Sequence, residues 1–208
     1  MKKSSYGKLT AGLIVVWFAF ALTASALNFF KGNPSLPPIA LGLAALIPVL
    51  LFLLWMGVSQ GFHEFAMSLD PRILTFVQSW RIGGHVFLVL ASAGLLPVLF
   101  AWPAGWGDMA IGITAPLAAI KLATANRRSS FTRWQILGIV DLVVAVSLGA
   151  TAQLISPHGI ATSIMTELPM SLIPTFAVPL FAMLHIICIA QARQWHTADE
   201  PASIQATA

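Results

Sequence analysis

The sequence predicts an all-α fold, a polytopic membrane protein arranged as a six-helix transmembrane bundle. Three observations carry that reading. First, 58% of the 208 residues are apolar and only 9% are charged. A soluble domain carries about 25% charged residues, so too few remain here to coat a water-facing surface. Second, the apolar runs are continuous and long enough to cross a hydrocarbon core as helices, which takes about 20 residues. They do not alternate as barrel strands do, and only helices or closed barrels satisfy their backbones in lipid. Third, the basic residues are segregated. With the N-terminus placed in the cytoplasm, Lys2, Lys3, Lys8, Arg72, Arg127, Arg128, Arg133 and Arg193 fall in inner segments, and Arg81 and Lys121 lie within a few turns of the same side. Only Lys31 lies outside. This asymmetry puts both termini in the cytoplasm.

The elements follow in chain order. The first span, about 9–30, begins after Met1-Lys2-Lys3 and contains Ala24-Ser25-Ala26, which has the form of a signal-peptide cleavage site. The apolar run continues to Phe30 and further spans follow, so a retained helix is expected. Cleavage would instead leave Leu27 as the mature N-terminus. The second span is about 38–59, and the GFHEFAMSL that follows reads as a short interfacial segment.

Asp70-Pro71 reads as an N-cap with proline in the first helical position. The third span, about 73–101, is therefore expected to start early, with PRILTFVQSWR in or below the inner headgroups. AWPAGWGD (101–108) reads as a tight outer turn, with Trp102 and Trp106 in an aromatic belt and Asp108 capping a fourth span, 107–124. The fifth span is about 134–155, and the outer connection 156–170 is long enough for a short lid. The sixth, about 172–192, contains Pro174 and Pro179, which free backbone carbonyls and favour a pocket that opens outward. Pro97 and Pro116 interrupt earlier spans. Residues 1–196 form one domain and 197–208 a polar cytoplasmic tail.

The chemistry-bearing residues are few. Asp141 lies seven residues past Trp134 and His185 eight before Arg193. At a rise of about 1.5 Å per residue both sit roughly 10–12 Å inside the inner surface. Arg81 and His85 enter from the same side and, four residues apart, share one face of an α-helix. Charged groups in hydrocarbon cost several kcal/mol unless paired or wet, so they turn toward the bundle interior. The expectation is an Arg81–Asp141 ion pair beside His85 and His185, with Gly83 and Gly84 admitting a neighbouring helix or ligand. The competing reading has Arg81 snorkelling to the headgroups and Asp141 protonated or bonded to a hydroxyl.

Asp108 is read mainly as a helix cap, alternatively as the outer mouth of a proton or cation path. Glu167 and His158 would join it in an external metal site, though no dense ligand spacing supports one. His63-Glu64 lacks the second histidine of a zinc motif, because position 67 is Met. Lys121, one turn from its helix end, reads as a snorkelling side chain. Cys188 stands alone, which excludes an intrachain disulfide and a CxxC pair.

The leading functional expectation is a non-enzymatic intramembrane pocket that binds or transports a small solute, coupled to protons. Arg81 and Asp141 would form the charged pair, His85 and His185 the titratable groups, and Asp108 the outer mouth. A second reading makes His85 and His185 the axial ligands of a single b-type haem, the one cofactor the sequence offers. A third is a structural or assembly subunit. No nucleotide loop, nucleophile elbow, aspartate-rich prenyl-transfer motif or selectivity filter is present, and no nucleophile–base pair supports an enzyme. The expected location is the cell membrane, as an inner-membrane multi-pass protein. The expected partners are the lipid bilayer, a small solute or proton, and a membrane subunit or second copy. Nucleic acid is not expected, because the basic residues fall at helix ends.

Overall fold

The structure is a computed structural model and describes residues 3–32, 38–155, 160 and 162–195. Among these residues every regular element is helical. Five helices are long and apolar enough to cross a membrane: Ser5–Ala26, Ile39–Val58, Pro71–Ser92, Ala125–Ala152 and Ile173–Arg193. The outward faces are consistent with a lipid-facing surface, since Val15, Val16, Leu54, Ile120 and Val143 are all exposed.

Helix α1 (Lys3–Ala26) turns through Asn28, whose φ of 57° lies in the left-handed region that asparagine tolerates. Helix α2 (Ile39–Val58) is followed at once by the short α3 (Gln60–Met67), capped by Ser59, whose hydroxyl accepts from the Phe62 N–H at 3.3 Å. Gln191, from the far end of the chain, donates to the Ala66 and Leu69 carbonyls at 3.1 and 2.8 Å. It thereby ties α8 to the carbonyls at the end of α3 and in the turn after it.

The third span starts where the sequence predicts. Asp70 accepts from the Arg72 N–H at 2.8 Å, and Pro71 opens α4 (Pro71–Val77). The span then tightens into a 3₁₀ stretch, Gln78–Gly84, and relaxes into α5 (His85–Ser92). It ends well before the expected residue 101. The turn lies at Ala93–Pro97, where Gly94 takes a φ of 70°.

Helix α6 runs from Val98 to Lys121, so AWPAGWGD is helical and not an outer turn. The physical reason is environmental. Proline and glycine break helices most readily where water can take over the freed backbone groups. Inside packed helices the remaining intrahelical bonds have no competitor. Helix α6 is long enough to span but is not among the five that are also apolar enough. Its glycines, tryptophans and Asp108 stand where the others carry aliphatics. It is the central helix: Ala101, Ala104, Gly105, Ile111, Gly112, Ala115, Ala118 and Ala119 are all buried.

Helix α7 (Arg128–Ile155) packs beside α6, and α8 (Val178–Arg193) beside α7, α2 and α4. A π-helical turn, Ile173–Ala177, contains Pro174 and precedes α8, whose second residue is Pro179. Two apolar layers close the ends of the bundle. One gathers Phe30, Leu41, Phe87, Leu96, Phe100 and Met165, the other Phe52, Phe62, Leu74, Phe131, Ile187 and Cys188. Lys8, Arg72, Lys121, Arg127, Arg128, Arg133 and Arg193 lie toward the second end. Lys31 lies toward the first, where it meets Glu167 at 3.0 Å in an exposed pair of little energetic weight.

Candidate functional site

Between the two apolar layers lies a polar one. Arg81 stands ten residues past Pro71 in a span of 22, and Asp108 ten past Val98 in a helix of 24. Asp141 stands thirteen past Arg128 in a helix of 28, and His185 twelve past Ile173 in a span of 21. Each is near the middle of its element, so the four meet at one level, deeper than the inner half the sequence indicates.

Arg81 is the hub, with its side chain only 1% exposed. Its Nε donates to Asp108 Oδ1 at 2.7 Å, and its Nη2 donates to Asp141 Oδ2. Its Nη1 donates to the Gly138 carbonyl at 3.2 Å and meets His185 Nε2 at 3.2 Å. One guanidinium thus ties the third span to α6, α7 and α8. The approach depends on missing side chains. A methyl group at Gly112 would overlap the Arg81–Ile82 backbone, one at Gly107 the Asp141 carboxylate, and one at Gly138 the His185 ring.

The donor inventory fixes the hydrogens along the rest of the cluster. A guanidinium only donates, so His185 Nε2 accepts. The ring then carries its hydrogen on Nδ1, in the neutral tautomer, and gives it to Gln135 Oε1. This orients the amide, whose Nε2 donates to Thr75 Oγ1 at 2.9 Å. The Thr75 hydroxyl is left facing Cys188 Sγ at 3.8 Å. Thr75, Gln135 and His185 are each 0% exposed. The order of donors runs from Arg81 to Cys188 without a conflict.

A cleft of about 430 Å³ reaches this layer from the side. Trp80, Arg81, Gly83, Gly84 and Phe87 line one wall, and Ile173, Phe176, Ala177, Leu180 and Phe181 the other, with Asp108 at the floor. Both walls depart from α geometry at the cleft, one as the 3₁₀ stretch and one as the π turn.

Arg81, Asp141 and His185 come together, as the sequence predicts. His85 does not join them. It is exposed, and its Nδ1 meets its own Ile82 carbonyl at 3.0 Å. The reason is the 3₁₀ stretch: at three residues per turn, side chains four residues apart stand roughly 120° apart around the axis, against roughly 40° in an α-helix. The two imidazoles therefore do not form the facing pair that bis-histidine haem ligation needs. His185 has both ring nitrogens engaged, and His85 looks away.

Asp108 is neither a cap nor an outer mouth, because it sits mid-helix on Arg81. The external metal site loses its geometry with it, since Glu167 faces Lys31 and His158 lies outside the described residues. The first part of the expected lid (156–159, 161) and the 197–208 tail also lie outside them. Sequence reasoning missed Gln135 and Thr75. The available signal was spacing, because Gln135, Gly138 and Asp141 recur every three residues near one face of α7.

Fold and site together define a class: a chain all-helical among the described residues, with five helices long and apolar enough to cross a membrane, closed around a mid-bundle cluster of one guanidinium and two carboxylates. The chain belongs to the family described as a domain of unknown function, DUF8737, whose model matches residues 36–193. No curated protein and no solved structure matches it.

Proposed function

We propose that this is a multi-pass protein of the cell membrane, with α6 joining the five apolar helices to make six spans and both termini cytoplasmic, whose mid-span cluster binds or transports a small solute in exchange with protons. The observation that carries the reading is the charge count. Arg81 faces two carboxylates, so with both ionised one negative charge has no partner among the described residues. A proton or a cationic solute would balance it, and buried charge in hydrocarbon is costly enough that the balance matters. The carboxylates replace the imidazoles as the exchanging groups, with Asp108 toward the cleft and Asp141 behind it. His185 and its amide–hydroxyl chain hold the guanidinium in place. The surrounding partners are lipid and, on the alternative below, another membrane subunit or a second copy.

The test is uptake of a radiolabelled solute panel into proteoliposomes under an imposed pH gradient. Gradient-dependent accumulation of at least one solute, abolished in Asp108→Asn and Asp141→Asn, is the expected result. Accumulation that ignores both substitutions, or none above empty liposomes, overturns the proposal. One observation favours a second reading, that of an assembly subunit. Arg81 is fully enclosed by its partners, as a residue that only fixes helix rotations would be. That reading expects a co-purifying membrane partner and no uptake.

A further inference from the structure

We propose that the lateral cleft takes a freely diffusing lipophilic organic monocation, which reaches it through the membrane and sets its charge against Asp108. The proposal rests on the solute-binding reading above and names the chemical class of the solute.

Three features select this occupant. The first is sign. Asp108 gives one oxygen to Arg81, and its Oδ2 has no hydrogen-bond partner among the described residues. The trio of Arg81, Asp108 and Asp141 lacks one positive charge, so an anion would meet net repulsion and a neutral molecule would leave the charge unbalanced. The second is the wall. Trp80, Phe87, Phe176 and Phe181 line the approach, and aromatic faces attract a desolvated cation while accepting its apolar body. The third is depth. Every lining residue except Asp108 belongs to the third or the last span, with none from a loop, so the cleft lies between two helices, from the end of the last span at Ile173 to Asp108 near mid-span. A bilayer lipid keeps its headgroup at the interface, about 15 Å away in a core of about 30 Å. A headgroup amine therefore does not reach Asp108, whereas a compact lipophilic cation does. The volume of about 430 Å³ suits one such molecule.

The two irregular stretches explain how the cleft exists. Regular α-helices at these positions would bring the walls together. On the cleft wall Gly83 leaves open space, where a side chain would meet nothing, while Gly84 is used to seat Asp108. Pro174 and Pro179 hold the opposite wall in its π turn.

The experiment compares tetraphenylphosphonium with tetraphenylborate, which match in size and shape and differ in sign. Binding to the purified full-length protein in nanodiscs is measured by equilibrium dialysis against empty nanodiscs. Saturable phosphonium binding without borate binding is expected, and Asp108→Asn should weaken it about tenfold or more. Gly83→Leu leaves the charged cluster untouched and fills the cleft. It should weaken binding similarly, which keeps the test decisive if Asp108→Asn fails to fold. Equal binding of both ions, or phosphonium binding unchanged in Gly83→Leu, overturns the proposal. Failure here with gradient-driven uptake intact would sink the cation and leave the solute-binding reading. Loss of that uptake reading would show in the proteoliposomes and not in the dialysis.

Discussion

Arg81 has five N–H donors and no acceptor, so its surroundings must supply only acceptors. They do: two carboxylates, one carbonyl and one imidazole nitrogen. The histidine is the informative member, because its other nitrogen passes the orientation on to Gln135 and Thr75. Replacing His185 by Phe keeps the apolar volume and removes both roles. Gln135 Oε1 would then lose its donor inside the bundle, at a cost of about 1–3 kcal/mol for a stranded buried group. Thermal unfolding in detergent should show a clear loss of stability, and an unchanged transition would mean the chain of donors is not structural. At this scale the sequence was informative about Arg81, Asp141 and His185, because ionisable and imidazole groups stand out in apolar spans. Gln135 and Thr75 were hidden, since an uncharged polar residue in a span is unremarkable until its partner is known.

At the scale of elements, the contrast lies between two glycines. Gly112 on α6 admits the backbone of Arg81 and Ile82, whereas Gly83 has open space around it. A side chain at Gly112 meets rigid backbone and must push α6 away from the 3₁₀ stretch, which would part Arg81 from Asp108. Gly112→Leu is therefore expected to abolish the monodisperse folded species in size-exclusion chromatography, while Gly83→Leu elutes as the parent does. If both variants elute alike, the close approach of α6 is not what holds the site. The element boundaries were the least legible feature of the sequence. The Asp70–Pro71 start was readable because a side-chain cap is local chemistry. The extent of α6 was not, because Pro103, Gly105 and Gly107 signal a turn only when water stands ready to satisfy their neighbours. That single misplacement moved Asp108 from the centre of the bundle to its rim. The 3₁₀ stretch had a similar effect on His85: no local residue announces it, and it arises where Gly84 and Gly112 let two helices crowd together.

At the scale of the molecule, a polar layer lies between two apolar ones. Composition and hydropathy made the helical class and the apolar exterior legible, because they follow from the whole chain and need no partner to be named. The layering was legible only in part, since it depends on which faces of the helices meet. Its consequence is that the charged groups are stable together and unstable apart. Removing one member of a buried ion pair costs about 3–5 kcal/mol, whereas replacing the whole set by neutral groups is often close to neutral. The most direct measurement is thus the thermal stability of Arg81→Met against the triple variant Arg81→Met, Asp108→Asn, Asp141→Asn, in the same detergent. The account predicts that the single substitution is strongly destabilised and that the triple variant recovers most of the loss. A single variant as stable as the parent, or a triple variant no better than the single, would contradict it.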